Sequence, residues 1–244
     1  MSAAMRAKKT WLICWNLRYP AMVFTIFSVA ISREVEYNEV MDKQQREIII
    51  GTLLGDAWID NKSLRIKQSE NHKEYVFWLY SQLQNLCKSS PKERIDYRQW
   101  YFQTRFSEDI SYFKEMFYRR KKKIVPENIK ELLISPLSLA VWYMDDGSLD
   151  YRPKDHYNFA LSTNAFTVNE NKLLVNVLKE NFGIESSIQT PLSRGVRYPE
   201  IYIGAKGRDR FWNLISSYVL SCFSNRIPPF TLTPQRLSLI KETK

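Results

Sequence analysis

The sequence predicts an α+β protein made of two related halves, and three observations support this fold class. First, two stretches of the 244-residue chain share one order of helix, strand, helix, hairpin and helix. Second, an aspartate ends the opening helix of each stretch, Asp56 in the first and Asp146 in the second. Third, each stretch has a basic residue between its last helix and a proline that follows a few residues later. This residue is Lys123 in the first stretch and Arg226 in the second.

The first half, residues 41–134, opens with an apolar run that predicts a helix over residues 47–58. Gly51 and Gly55 lie on one face of this helix. Because glycine in a helix costs about 0.5–1 kcal/mol relative to alanine, the pair predicts that another backbone packs very closely there. The elements that follow are a strand over 63–69, a helix over 73–87, a hairpin over 95–107 and a helix over 110–118.

The second half, residues 135–244, opens with a helix predicted over residues 137–146. Ser135 is a good N-cap residue, and Pro136 suits the first helical position. The helix is apolar all round until its last two residues, which predicts that it is buried. The elements that follow are a strand over 158–163, a helix over 168–181, a hairpin over 188–204 and a helix over 208–220.

The composition indicates a folded protein with a polyanionic partner. Lys and Arg number 36 against 26 Asp and Glu, a net charge of +10, while 44% hydrophobic residues suffice for a core. The two histidines are isolated and the three cysteines are widely spaced. These counts exclude a zinc finger, a disulfide framework and a histidine-rich metal centre. Any metal chemistry must therefore use oxygen ligands.

Residues 1–40 are predicted to be an extension ahead of the two halves. The first 33 residues hold five basic residues and no acidic one, with an uncharged apolar stretch over residues 19–32. That stretch is shorter than the roughly 20 residues that a membrane-spanning helix needs. A membrane anchor is therefore excluded, and two alternatives stay open: a targeting segment or a poorly ordered extension.

The two aspartates predict a metal site. Two buried helices packed in parallel would bring Asp56 beside Asp146, at helix ends that already carry partial negative charge. Carboxylates held so close repel unless a cation neutralises them, and Mg²⁺, or Mn²⁺, suits oxygen ligands. The alternative is that both motifs only cap helices and start turns. Their matched positions in a basic protein favour the metal site.

The segments IIGTLLGDA (residues 49–57) and LAVWYMDDG (residues 139–147) resemble the signature helices of the LAGLIDADG homing endonucleases, in particular the single-chain members with two motifs. The resemblance covers roughly residues 41–234. It implies two pseudo-symmetric αββαββα halves whose sheets form a saddle over DNA. It also implies that Asp56 and Asp146 bind the catalytic metal.

The second motif departs from the first at two positions. It has Val141 and Asp145 where the first motif has Gly51 and Gly55. Glycines therefore predict close packing on the first helix alone.

The resemblance also implies a basic residue near the scissile phosphate in each half. Lys123, with Lys122 as the alternative, is the candidate in the first half, and Arg226 in the second. Because an arginine stays protonated and cannot act as a base, we expect the two strand cleavages to be chemically unequal. Gln68 is a further candidate that would position water near Asp56, although it falls on the apolar phase of its strand.

Alternation along the strands predicts two polar faces that read DNA. Between residues 97 and 107 the odd positions are polar or amphipathic, whereas Trp100, Phe102 and Phe106 are expected in the core. Asn158 is expected on the polar face of its strand. Gln and Arg suit this task because they pair with adenine and guanine, but an ordinary solvated face is the alternative. The candidate DNA contacts are Arg65, Lys67, Tyr97, Gln99, Gln103, Arg105, Ser162, Asn164, Gln189, Arg194 and Arg197.

Together these features predict metal-assisted phosphodiester hydrolysis at a specific site in double-stranded DNA. The resemblance implies a double-strand break across the minor groove with short 3′ overhangs, by a monomeric enzyme encoded in an intron. The main alternative is an RNA maturase that assists intron splicing, alone or in addition. A DNA-binding module without activity is disfavoured because both motif acids are present. We expect a chloroplast or mitochondrial protein, otherwise a cytoplasmic one, without a membrane partner.

Overall fold

The computed structural model describes residues 41–152, 156–193 and 195–231. The predicted extension over residues 1–40 and the candidate Arg194 lie outside these residues. These described residues belong to one compact unit. No helix in the described ranges is long and apolar enough to cross a membrane.

The described elements alternate between helices and short antiparallel strands. The first group contains α1 Lys43–Leu54, β1 Trp58–Asp60, β2 Ser63–Ser69, α2 Lys73–Leu83, β3 Lys92–Arg94, β4 Gln99–Gln103, α3 Glu108–Phe117, β5 Tyr118–Arg119, β6 Lys122–Lys123 and α4 Ile129–Leu132. The second group contains α5 Pro136–Asp146, β7 Gly147–Arg152, β8 His156–Ser162, α6 Val168–Phe182, β9 Ser187–Gln189, β10 Leu192–Ser193, β11 Val196–Arg197, β12 Glu200–Ile203 and α7 Arg208–Ile215.

The two main sheets share one connectivity. Their strand orders are β1-β2-β4-β3 and β7-β8-β12-β9, and every pairing is antiparallel. The main difference is the small hairpin β10-β11, which is inserted between β9 and β12. This confirms the predicted α+β fold with two pseudo-symmetric sets of elements.

Helix α5 begins where Ser135 and Pro136 predict, whereas α1 begins four residues before the predicted range of 47–58 and ends four residues before its end, at Leu54. Asp42 and Gln45 form a capping box before α1. The Ser135 side chain accepts a hydrogen bond from the Leu137 N–H, and Pro136 is the first residue of α5. The residues of α5 from Leu137 to Asp145 are all buried, as its apolar circumference predicts.

The packing of α1 against α5 is close at both glycines. A Cβ atom added to Gly51 would lie 2.5 Å from the Ser138 carbonyl oxygen and 2.7 Å from the Val141 Cβ. A Cβ added to Gly55 would lie 2.4 Å from the Asp145 Cβ. The residues that replace glycine in the second motif therefore fill the space that the first motif leaves open.

Two expectations for the polar strand faces are wrong. Phe106 is 73% exposed, because β4 ends at Gln103 and the chain has left the sheet by that point. Asn158 is 4% exposed, because its strand lies between two others and its amide contacts the His156 ring. Tyr97 lies in a 3₁₀ turn ahead of β4 and is 62% exposed.

Candidate active site

The ends of α1 and α5 bring the two motif aspartates into one site. Asp56 lies two residues beyond the end of α1 and is exposed, whereas Asp146 is the last residue of α5 and is half-buried. Burial first, and then the negative charge of Asp56, raise the pKa of Asp146 to about 7. The positive charges of Lys123 and Arg226 oppose this shift. The pair therefore carries the carboxylate repulsion that a cation would relieve.

A cation caps each of the two helix ends. The Lys123 ammonium donates hydrogen bonds to the carbonyl oxygens of Gly55 and Ala57, both at 2.7 Å, on either side of Asp56. Lys122, the alternative candidate, is exposed. Burial lowers the pKa of Lys123, against the raising effect of Asp146, Asp145 and Asp56. The lysine is thereby fixed beside the first aspartate.

Arg226 occupies the matching place at the second helix end. It belongs to the 3₁₀ turn Ser221–Arg226, and its guanidinium donates to the carbonyl oxygens of Tyr143, Met144 and Asp145. These are the last carbonyls before Asp146. A positive group at a helix C-terminus is favourable because it satisfies free carbonyls and opposes the helix dipole.

The structure places Gln68 in the site, despite its phase on β2. Its amide donates to the Asp56 carboxylate at 2.8 Å and to the Asp145 carboxylate at 3.2 Å. The apolar face of β2, with Leu64 and Ile66, packs in the core. Near the end of β2, this same face of the strand lies beside the end of α1. A residue in the apolar alternation, Gln68, therefore lies in the site.

Among the described residues of the second half, none is a counterpart of Gln68. Trp58 pairs with Arg65 in the first sheet, as Ser148 pairs with Ala160 in the second, so the register places Thr163 where the first half has Gln68. Thr163 is buried, and its hydroxyl donates to the Asn171 side chain instead. The two halves of the site are therefore chemically different.

Two residues near the site were missed by the sequence reasoning. Asp145 is 7% exposed, and burial first, then the charges of Asp56 and Asp146, raise its pKa well above the usual range. The sequence feature that could have identified Asp145 is its place in the second motif, where the first motif has Gly55. His72 is half-buried with its ring 4.4 Å from that of Phe223. Burial and the charge of Arg226 lower the pKa of His72, and no sequence pattern pointed to it.

The donors fit an open metal site rather than a closed one. Within the described ranges, no cluster of three or more His, Cys, Asp or Glu side chains could enclose a metal ion. Asp56 and Asp146 supply two carboxylates at helix ends. Mg²⁺ is commonly held by one or two carboxylates, with water and substrate oxygens completing its shell. The residues present therefore fit an ion whose coordination is completed by substrate.

Four candidate DNA contacts of the first half, Arg65, Lys67, Gln99 and Gln103, share one sheet face. Residues directly opposite each other in an antiparallel pair point to the same face. Arg65 lies opposite Gln103, and Lys67 opposite Tyr101. Two exposed residues of β3 that the sequence reasoning did not propose, Lys92 and Arg94, lie opposite Tyr101 and Gln99 and join this face. We call this surface the first basic face; it consists of Arg65, Lys67, Lys92, Arg94, Gln99 and Gln103.

The remaining candidates are more scattered. Ser162 and Gln189 both lie opposite Glu200 in the second sheet, and Asn164 follows in an exposed turn. Arg197 donates to the Thr190 carbonyl oxygen. Arg105 lies beyond the end of β4, where its guanidinium donates to the carbonyls of Asn85 and Cys87. Tyr97 is stacked under Arg94, 4.5 Å from its guanidinium.

The fold and the site define a class of single-chain proteins with two pseudo-symmetric units and paired carboxylates at the helices that join them. Residues 46–211 match the LAGLIDADG DNA endonuclease family. The chain belongs to this family.

Relatives and a solved structure agree with this membership. The cytochrome b mRNA maturase bI2 of Debaryomyces hansenii is 30% identical over 67% of this chain and 67% of its own length. The probable intron-encoded endonuclease 1 of Wickerhamomyces canadensis is 29% identical over 74% of this chain and 82% of its own. The solved structure of the homing endonuclease I-WcaI bound to its DNA recognition sequence is 26% identical, with a TM-score of 0.68, over 81% of this chain and 92% of that one.

Proposed function

We propose that this protein is an intron-encoded homing endonuclease that cuts both strands of a specific DNA site. The observation that carries the proposal is the site itself: Asp56 and Asp146 lie together at the ends of two packed helices, each beside a cation that caps its helix. The relatives support it, since one is named an intron-encoded endonuclease and the solved neighbour is bound to its DNA recognition sequence.

We assign the divalent metal ions, Mg²⁺ or Mn²⁺, to Asp56 and Asp146. A bound ion would stabilise the negative charge that develops on the phosphate during hydrolysis. The raised pKa of Asp146, caused first by burial and then by Asp56, supports this assignment because the second charge is unfavourable without a cation. Both carboxylates lie at the open end of the helix pair, where a phosphate oxygen would complete the ligand set.

The other residues of the site orient the reactants. Lys123 is held by two carbonyls beside Asp56 and stabilises charge on one scissile phosphate. Arg226 does the same at the other phosphate and remains protonated. Gln68 keeps an amide next to Asp56, where it orients the attacking water. Since the second half has Thr163 in place of Gln68, the two strands are cut at unequal rates.

We assign the first basic face, with Ser162, Asn164, Gln189 and Arg197 of the second sheet, to DNA binding. Arg and Gln suit base edges in the major groove, and Lys suits phosphates. Arg65 is already oriented by an ion pair with Asp60 at 2.7 Å, and the Lys67 ammonium lies 5.5 Å from the Trp58 ring centre. Arg105 and Tyr97 lie beyond the strand and would contact DNA only at the edge of the interface.

RNA maturase activity is a second candidate, alone or in addition. It is favoured by one observation, the relative in Debaryomyces hansenii, which is named a cytochrome b mRNA maturase. That name also supports an organellar gene, in a mitochondrion or chloroplast, as the origin of this chain.

We further propose that residues 41–134 and 135–244 are two repeats and that one chain acts as a monomer on each target.

The test is cleavage of the DNA sequence that results when the exons flanking the gene's insertion site are joined. Wild-type protein should cut this DNA with Mg²⁺ or Mn²⁺ and not with EDTA. Asp56→Asn and Asp146→Asn should each abolish the double-strand break. Glu180→Gln, which removes an exposed charge paired with Lys130, should cut like wild type. If wild-type protein binds the intron RNA and never cuts this DNA, the endonuclease proposal is wrong and maturase activity is the supported function.

A further inference from the structure

Asp145 is an acidic residue of the second motif whose side chain contacts the first half. We propose that Asp145 is a positioning residue for the Asp56 half of the site, which it holds by accepting hydrogen bonds from the Asp56 main chain and the Gln68 amide. This inference rests on the proposed endonuclease function. A residue of the second motif would thereby support the strand cleavage that depends on Asp56 of the first motif.

The hydrogen bonds of Asp145 connect the two motifs directly. One carboxylate oxygen accepts from the Asp56 N–H at 3.2 Å, and the other accepts from the Gln68 Nε2 at 3.2 Å. The same Gln68 nitrogen donates to the Asp56 carboxylate at 2.8 Å. Asp145 thus fixes both the main chain of the first metal ligand and the amide beside it. The buried Tyr75 of α2 also interacts with this carboxylate.

The position of the carboxylate is fixed by packing. Asp145 is 7% exposed, and a Cβ at residue 55 would lie 2.5 Å from its Oδ2. Only glycine at this place leaves room for the carboxylate against α1. Burying an acidic group is costly unless its oxygens are hydrogen-bonded. Here the groups that bond to the Asp145 side chain, the Asp56 N–H, the Gln68 amide and Tyr75, all belong to the first half.

No reciprocal arrangement exists in the described residues. The first motif has Gly55 where the second has Asp145, so no side chain extends from that place toward Asp146. The register counterpart of Gln68 is Thr163, whose hydroxyl bonds within its own half. Asp146 is instead flanked by Arg226, which binds main-chain carbonyls. Loss of the Asp145 carboxylate should therefore affect one strand cleavage and spare the other.

The experiment measures strand-specific nicking of a duplex with differently labelled strands, at saturating enzyme in a single turnover. Gln68→Ala and Lys123→Met first identify the strand that the Asp56 half cuts. Asp145→Asn keeps the size of the side chain but replaces one acceptor oxygen with a donor amide. We expect that strand to be cut about tenfold more slowly, as for the loss of one hydrogen bond. The other strand should change less than twofold, with unchanged Kd for DNA, so that nicked product accumulates.

Several outcomes would overturn the proposal. Equal slowing of both strands, slowing of the Asp146 strand alone, or no change in a folded variant would each show that Asp145 does not position the Asp56 half. If Asp145→Asn does not fold, Asp145→Gly provides the same strand comparison without a side chain that must fit against Gly55. Glu180→Gln serves as the charge control. Wild-type protein that nicks neither strand would instead refute the proposed function, because that result does not depend on Asp145.

Discussion

At the scale of single residues, the two motif aspartates occupy matching places in unlike surroundings. Asp56 is exposed beyond its helix, whereas Asp146 is half-buried within the last turn of α5. Burial and then the charge of Asp56 raise the pKa of Asp146 to about 7, while Lys123 and Arg226 oppose the shift. The ionisation of Asp146 is therefore linked to folding at near-neutral pH.

The first prediction concerns stability against pH without divalent ions. A carboxyl whose pKa is raised by folding binds its proton more tightly in the native state. The stability it contributes is complete below the unfolded pKa of about 3.9 and is lost as pH rises through about 7. Wild-type protein should therefore have a lower Tm at pH 8 than at pH 6, measured by circular dichroism.

In Asp146→Asn this difference in Tm should shrink, because the titrating group is gone. In Glu180→Gln it should persist, because that exposed residue lies outside the site. Adding Mg²⁺ or Mn²⁺ should raise the wild-type Tm more at pH 8 than at pH 6, since a cation binds the ionised form. An Asp146→Asn variant with the full wild-type pH dependence would contradict the prediction.

The second prediction separates two neighbouring lysines. Lys123→Met removes the ammonium that donates to Gly55 and Ala57, so cleavage of the Asp56-dependent strand should fall about 10²-fold or more. Lys122→Met removes an equal charge from an exposed side chain and should change this rate less than twofold. Single-turnover strand assays give both numbers. The reverse result would assign the role to Lys122.

At the scale of elements, the α1–α5 interface depends on shape as well as on charge. Gly51 of α1 and Gly55, the residue that follows α1, face Val141 and Asp145 of α5, so larger residues of α5 meet glycines of the first motif. The contacts at the two glycines differ in kind. Gly51 is closest to a main-chain oxygen, that of Ser138, whereas Gly55 is closest to side-chain atoms of Asp145.

The third prediction uses this difference. Gly51→Ala and Gly55→Ala should each destabilise the protein by about 1–3 kcal/mol, the usual effect of overpacking, even though alanine has the higher helix propensity at the helical position 51. The double variant Gly55→Ala/Asp145→Gly should recover much of this loss, because the atoms in the way are removed. Gly51→Ala/Val141→Gly should not recover it, because the Ser138 oxygen remains. Urea unfolding measures all four, and equal recovery in both pairs would contradict the prediction.

At the scale of the whole molecule, part of the net charge of +10 is concentrated on the surface that we propose binds DNA. Four of the cations lie together on the first basic face: Arg65, Lys67, Lys92 and Arg94. Other lysines are paired on the surface elsewhere, such as Lys130 with Glu180 and Lys179 with Glu185. The two groups differ in position, and within the first group Arg65 is paired with Asp60.

The fourth prediction compares two double variants that lose the same charge. Lys92→Gln/Arg94→Gln should weaken DNA binding and reduce the slope of log K against log salt by up to about 0.9 for each lost phosphate contact. Lys130→Gln/Lys179→Gln should change neither quantity beyond a small long-range effect. Fluorescence anisotropy across a KCl series measures the slopes. Equal slopes for both variants would place the DNA away from the first basic face.

Local patterns predicted the parts of the fold that local physics determines. The strand over 63–69 and the capped start of α5 at Ser135 are as predicted, because alternation and capping act within a few residues. The end of β4 at Gln103 and the burial of Asn158 depend on neighbouring strands, which no local pattern encodes. The contact between Gln68 and Asp145 spans 77 positions of the chain, so only the assembled fold brings these residues together.

The unequal helix interface also determines which halves can associate. Two copies of the first half would place glycine against glycine and lose the contacts that Val141 and Asp145 make there. Two copies of the second half would place Val141 against Val141 and one buried Asp145 carboxylate against another, which would clash and repel. We therefore expect each half to pair with the other rather than with a second copy of itself. A chimera that takes one half from another family member would need the complementary residues at these two positions before its helices could pair.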